Sequence, residues 1–341
     1  MPRLHGRGEG DSMHELNFIV LLAGVVAGAA PLVFAVLGET LTEKAGVINL
    51  SLDGTLLLSA MVAFAVTYET GSLLLGFGAA ALTGTVVAAV VGIAGIFLGQ
   101  SQLAVGFVLT LMCRDLAYFL GNPFARLHGL QVLPLPVPLL NELPVLGPIL
   151  FHQNVLVYLN FLLIGLVWFY MYGTRWGLEL RAVGEHPQAA YARGISVRRL
   201  QMLYVLAGGA LVGVAGAAFS LCTKPGWGRP QGAEGMGWIA LAIVIFGGWH
   251  PVKVACGAYL FAWLQMMGIS FQNQWPSIPA QVFQVAPFPL MIFVLLLMHF
   301  SQKRAVEQWA ENHPWLLPLI RFFQGTAPAS LGQPARKRLG S

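Results

Sequence analysis

Charge is what this chain has least of. Only 10% of its 341 residues are Asp, Glu, Lys or Arg, against roughly 25% in soluble domains, which excludes an ordinary water-soluble fold. No Gly-Lys pair occurs, so the phosphate loop GxxxxGK[ST] is missing. Any ATP-driven work would therefore need a second polypeptide to bind the nucleotide. Cysteine is scarce: Cys113, Cys222 and Cys256 lie in apolar stretches with no CxxC pair, which excludes a disulfide framework or a cysteine metal site. Buried, reduced, inert thiols are expected. Residues 70–113 hold no charge, and His299 is the only acidic, basic or imidazole side chain in 254–302. An ion-coupled secondary transporter would want paired ionisable groups inside its spans, so this scarcity argues against that class.

Apolar residues fill the space: 57% of the chain is hydrophobic and the mean hydropathy is +0.71. The expected product is an all-α, polytopic integral membrane protein, multi-pass in the cell (inner) membrane and surrounded by lipid. The formal charge of +5 sits beside the apolar runs, so it orients the chain in the bilayer and does not point to nucleic acid. The chain divides into an N-terminal segment 1–16, a membrane domain 17–300 and a tail 301–341. The uncharged run 16–38 exceeds a cleaved signal core and reads as a retained span.

A crossing takes about 20 apolar residues. Candidates are 17–38, 54–68, two passes within 70–121, 154–172, 201–223, 235–249, 254–271 and 284–300, about nine in all within a range of 8–10. Residues 54–68 and 235–249 are too short for a bilayer core of about 30 Å. Residues 122–152 carry Pro123, Pro134, Pro136, Pro138, Pro144 and Pro148 and form a non-helical loop outside the cytoplasm. The tail reads as an interfacial helix followed by a disordered end on the cytoplasmic side. Gly24/Gly28 and Gly209/Gly213 have the spacing for close helix contact. Trp227, Trp249 and Trp275 suit an interfacial belt. Arg114 and Asp115 read as a self-neutralising pair, and Glu39, Glu43 and Lys44 as groups at the cytoplasmic interface. His250 and His299 are assigned no chemistry.

Two features stand out from the apolar background. The short segments share an acid-Gly start, Leu52-Asp53-Gly54 and Ala233-Glu234-Gly235, and enter from opposite sides, as in an inverted repeat whose interrupted helices mark a substrate path; chance recurrence is the plain alternative. Residues 175–200 form the one long polar insert, with five Arg against two Glu (5 − 2 = +3), and belong in the cytoplasm. Glu185 or His186 is placed to cap a helix of one or two turns over 188–193, with Pro187 at its first position and Gly194 at a left-handed exit. Such a helix is marginal alone and needs a partner surface. A positive-inside anchor loop and a docking helix are both open on this evidence.

Three stretches together carry a family resemblance: LGETLTEKAGVINLSLDG (37–54), VGEHPQAAYARGI (183–195) and GMGWIALAIVIFGGWHPVKVACGAYLF (235–261). The chain resembles the permease subunit of ATP-binding-cassette (ABC) importers, in the branch for simple sugars, branched-chain amino acids and nucleosides, and most closely the nucleoside type. The resemblance spans about 17–300. It implies no enzyme activity and no cofactor in this chain, ATP being bound by a partner. It also implies a second related permease, a cytoplasmic ABC ATPase and an extracytoplasmic substrate-binding lipoprotein. The solute would be small and polar, a nucleoside first, a simple sugar or branched-chain amino acid otherwise. The first motif puts Asn49 and Asp53 on the substrate path, where capping the helix that begins near Gly54 is the competing role; Gln102 and Thr110 are candidates to hydrogen-bond the solute there, with interhelical hydrogen bonds as the alternative. The motifs put Glu185, Pro187, Ala189, Ala190 and Gly194 at the ATPase contact. The family usually has Glu at the place of Asp53, Asn at His186, a small residue at Arg193, and Asn near Thr110. A channel or scaffold would leave the helix at 188–193 without a task.

This reading fixes a topology. In a variant lacking the three native cysteines, Asn141→Cys should react with an impermeant thiol reagent in intact cells while Arg181→Cys should not; the reverse labelling overturns it.

Overall fold

The structure, a computed structural model, describes residues 8–275 except 139 and 142, then 282, 289, 292, 293, 296 and 325–333. The expected pass over 284–300, His299 and most of the tail lie outside the described residues. Helices are the described regular elements, with an isolated bridge between Pro134 and Asn154. Among the described residues seven helices are long and apolar enough to cross a membrane, and an eighth apolar helix is shorter.

Helix α1, Gly8–Lys44, runs unbroken through Pro31. After a non-helical segment, α2 covers Leu52–Thr70. It is a full 19-residue span, which corrects the expectation that this segment is too short. The helix takes in Asp53 at one end and Glu69 at the other, because each polar end finds a protein partner or solvent. Gly71 (φ 66°) then closes it, its N–H bonding to the Thr67 carbonyl. Helix α3, Leu73–Gly92, ends in a π-helical turn, Ile93–Phe97, and α4 spans Gln102–Gly121. Beyond the proline-rich loop come α5, Val155–Gly173, the amphipathic α6, Arg175–Glu185, and the single turn and a half of α7, Pro187–Ala192. Helix α8, Val197–Ala218, also ends in a π turn, Phe219–Thr223. Helix α9, Met236–Phe246, has only 11 residues, about 16 Å of rise, and is short as expected. Helix α10 is Pro251–Gln274.

Helix α8 is the hub, packing on α3, α1 and α2. Glycine lets the backbones meet. A Cβ on Gly213 would strike the Ala80 carbonyl and approach the Ala81 Cα to 2.9 Å; one on Gly84 would strike the Gly209 carbonyl. Gly208 and Gly38 face each other in the same way, with a Cβ on Gly38 2.6 Å from the Gly208 oxygen. At Gly24 and Gly28 the approach is looser: a Cβ would sit 3.4 and 3.7 Å from Met266 of α10.

Two groups of residues mark the ends of the bundle. At one end Tyr68 meets Phe124, the Arg126 N–H bonds to the Trp227 carbonyl, and Gln153 reaches the Ala23 carbonyl. At the other lie Lys44, Gly184, Tyr172 and the turn before α10. Trp227 and Trp249 are 4% and 6% exposed and serve as core wedges; of the three expected belt residues only Trp275, 53% exposed, is at the surface. Cys113 is buried and Cys222 half-buried, but Cys256 is exposed.

Gly213→Val should cost at least about 1–3 kcal/mol of overpacking and reduce the folded fraction recovered in detergent. Gly78→Val, where a Cβ meets nothing within 4 Å, should behave as wild type. Equal recovery of both variants would show that the α3–α8 contact tolerates separation.

Candidate functional site: an interrupted segment and the two helix starts it joins

Residues 45–51 leave the helix in the middle of buried protein, and their backbone groups need partners. Glu39 and Asn49 of the first motif supply some, and Gln102, Thr110 and Gln201 from other helices supply others. The N–H groups of Ala45, Gly46 and Val47 turn back to α1 carbonyls. The Ile48 N–H donates to Gln102 Oε1 (3.0 Å), the Asn49 N–H to Glu39 Oε1 (3.3 Å) and the Ser51 N–H to Asn49 Oδ1 (3.1 Å). Thr110 Oγ1 donates to the Leu50 carbonyl at 2.6 Å, and Gln201 Nε2 to the Ala45 carbonyl at 2.8 Å. Glycines bring the surrounding backbones in. A Cβ on Gly106 would lie 2.8 Å from the Leu50 nitrogen, and one on Gly54 would strike the Thr110 carbonyl.

Asp53 follows at the start of α2, 6% exposed, and its Oδ1 accepts from the Gly237 N–H of α9 at 3.1 Å. The two acid-Gly segments therefore meet. From that point α2 runs toward Tyr68 and the Phe124 end, whereas α9 runs toward Trp249 and the opposite end, where Trp249 Nε1 donates to Glu43 at 2.5 Å. Two positive helix starts thus face one carboxylate. Glu234, the acid of the second segment, turns to α4: it takes Arg114 Nη2 at 2.5 Å and the Tyr118 hydroxyl at 2.7 Å, and Arg229 stacks over Tyr118 at 4.8 Å. Arg114 is therefore not paired with Asp115. Asp115 is exposed on the outer face of α4.

The structure thus brings Asn49, Asp53, Gln102 and Thr110 together around one segment, each 1–6% exposed and each already hydrogen-bonded inside the chain. Glu39 and Glu43, toward the end where Lys44 lies, are 0% and 3% exposed, enclosed by protein where the interrupted backbone and Trp249 need acceptors. Glu39, Glu43, Glu234 and Gln201 belong to the network but were not expected as members. Glu39 and Glu43 lie in the first motif and Glu234 in the second acid-Gly start, whereas Gln201 is marked only as a polar residue beside an apolar run.

At the basic end, α7 starts at Pro187 with His186 before it, no side chain caps it, and Gly194 takes φ +85°. Pro187 and Ala190 are buried, Ala190 against Val183 and Val197. The exposed face is Gln188, Ala189, Tyr191 and Ala192, with Tyr191 63% exposed. Close by, the Tyr172 ring stacks on His250 (centroids 5.2 Å) and lies 5.0 Å from Arg181. Burial, then the charges of Lys253 and Lys44, hold the His250 imidazole below its usual range.

Comparison with known proteins decides the family. Residues 21–295 match the family described as the permease component of the branched-chain amino acid transport system. The chain belongs to that family. It is 37% identical over 257 residues to a putative glucose ABC transporter permease, TsgC13, of Haloferax volcanii, covering 74% of this chain and 78% of that one. It is 31% identical over 303 residues to the nucleoside ABC transporter permease NupC of Lactococcus lactis, covering 84% and 94%. It is 28% identical over 296 residues to the guanosine ABC transporter permease NupQ of Bacillus subtilis, covering 81% and 91%. No solved structure matches the chain. The chain is thus an ABC permease of the sugar and nucleoside branch, a multi-pass protein of the cell membrane.

Thr110→Val should leave the Leu50 carbonyl unpaired, at about 1–3 kcal/mol, and lower both thermal stability in detergent and uptake, while Thr110→Ser restores both. Wild-type behaviour of the valine variant would remove this bond from the account.

Proposed function

We propose that this permease lines half of the path of an ATP-driven importer for a neutral, hydroxyl-rich solute, a nucleoside in the first instance. The observation that carries the half-path reading is Asp115. It is an exposed carboxylate in the membrane-spanning α4, beside the half-exposed Arg114. A carboxylate on a spanning helix is costly against lipid and belongs against water or protein. The face of α4 that bears it therefore looks onto the path and onto a second, related permease. Asn49, Asp53, Gln102 and Thr110 act on that path by holding the interrupted segment beside it. A simple sugar is the second reading, favoured by the similarity to the putative glucose permease. An extracytoplasmic receptor would deliver the solute, and a cytoplasmic ABC ATPase would drive the step through residues 175–200, docking on the exposed face of α7.

Cells carrying the complete importer should take up labelled nucleoside, and unlabelled nucleosides should compete where glucose does not. The opposite competition assigns a sugar. Tyr191→Ala should remove an exposed aromatic anchor of the kind that dominates interfaces. Permease would then remain at normal membrane levels, and the ATPase would no longer co-purify. Normal transport by that variant would reduce α7 to an orienting loop.

A further inference from the structure

Residues 325–333, which the sequence alone assigns to a disordered end, are packed against the basic end of the bundle. The Ser330 N–H and Oγ both donate to the Gly184 carbonyl, at 3.0 and 2.7 Å, and the Ala329 N–H donates to Glu185 Oε2 at 3.3 Å. Ser330 is 2% exposed and Pro328 is buried. The segment also touches both interrupted regions. A Cβ on Gly46 would strike Ser330 Oγ, one on Gly332 would meet Ile48 Cδ1 at 2.7 Å, and one on Gly248 would meet the Gly325 Cα at 2.7 Å. Three sites far apart in sequence are thus clasped together: the end of α6, the non-helical segment after α1, and the turn after α9.

Between this clasp and α7 lies an open notch of about 300 Å³, walled by Glu185–Ala189 on one side and by Ala329, Ser330 and Gln333 on the other. Its walls are small or polar side chains and backbone, with Gln188, Ala189, Ala329 and Gln333 exposed. A concave polar seat continuous with the exposed face of α7 suits a protruding side chain of a protein partner.

We propose that the clasp is the second wall of the ATPase seat. In this reading the motor engages the middle loop and the C-terminal segment at once, so that a push on α7 reaches the ends of the non-helical segment and of α9 together. The proposal rests on α7 being the docking helix, and the experiment separates the two ideas.

In the complete importer, Ala329→Trp fills the notch at an exposed position. At normal permease levels, at least a tenfold loss of co-purified ATPase is expected, together with loss of uptake. If Tyr191→Ala releases the ATPase and Ala329→Trp does not, the docking helix stands and the clasp proposal falls. If neither releases it, the docking reading itself falls and takes the clasp with it. If Ala329→Trp lowers the permease level, proximity decides. Ala329→Cys, in the chain lacking native cysteines and labelled with a benzophenone maleimide, should cross-link to the ATPase as efficiently as Gln188→Cys labelled in the same way. Cross-linking from position 188 alone overturns the proposal.

Discussion

Residues 45–51 present a full set of backbone donors and acceptors inside apolar surroundings, where each unpaired group costs several kcal/mol. Glu39 and Asn49 of the first motif answer that demand together with side chains of other helices. Glu39, Asn49, Gln102, Thr110 and Gln201 come from α1, the segment itself, α4 and α8, and between them they replace the hydrogen bonds that a continuous helix would have made. Because the donors and acceptors sit on four different parts of the chain, the segment's bonds are complete only when those parts are assembled. The same bonds then fix their relative positions.

Close approach is the second half of that demand, since side chains as short as Thr reach a neighbouring backbone only if nothing intervenes. Gly54, Gly106 and Gly237 remove the obstacle around the segment, and Gly84, Gly209 and Gly213 do the same between α3 and α8. With backbones this near, the start of α9 lands on Asp53, and its N-terminal dipole is met by a carboxylate. An 11-residue helix that could not span alone is thereby anchored at both ends, by Asp53 at its start and by the Glu43–Trp249 bond beyond its close.

Helices and their rough extents were legible in the sequence because long uncharged runs have few alternatives in lipid. Pro187 and Gly194 placed α7 almost to the residue for a local reason: fixed φ at one end and positive φ at the other. Partnerships were not legible. Arg114 lies beside Asp115 in sequence but reaches Glu234, because neighbours in a helix point about 100° apart whereas the loop before α9 folds onto its face. Ala190, which the family motif put at the ATPase contact, packs on the inner side of α7 against Val183 and Val197. The ordered clasp at 325–333 had no signal at all: its bonds use backbone and one serine, which no hydropathy pattern records.

This division also separates the machine from its cargo. Side chains that satisfy the interrupted backbone cannot vary freely with substrate, since removing one orphans a buried partner. They can therefore be common to permeases named for glucose and for nucleosides alike. On the proposed half-path reading, recognition of the solute falls to groups not consumed in holding the fold, such as Asp115 on the exposed face of α4. The departures at Asp53 and Thr110 from the usual Glu and Asn then bear on how the start of α9 and the interrupted segment are held.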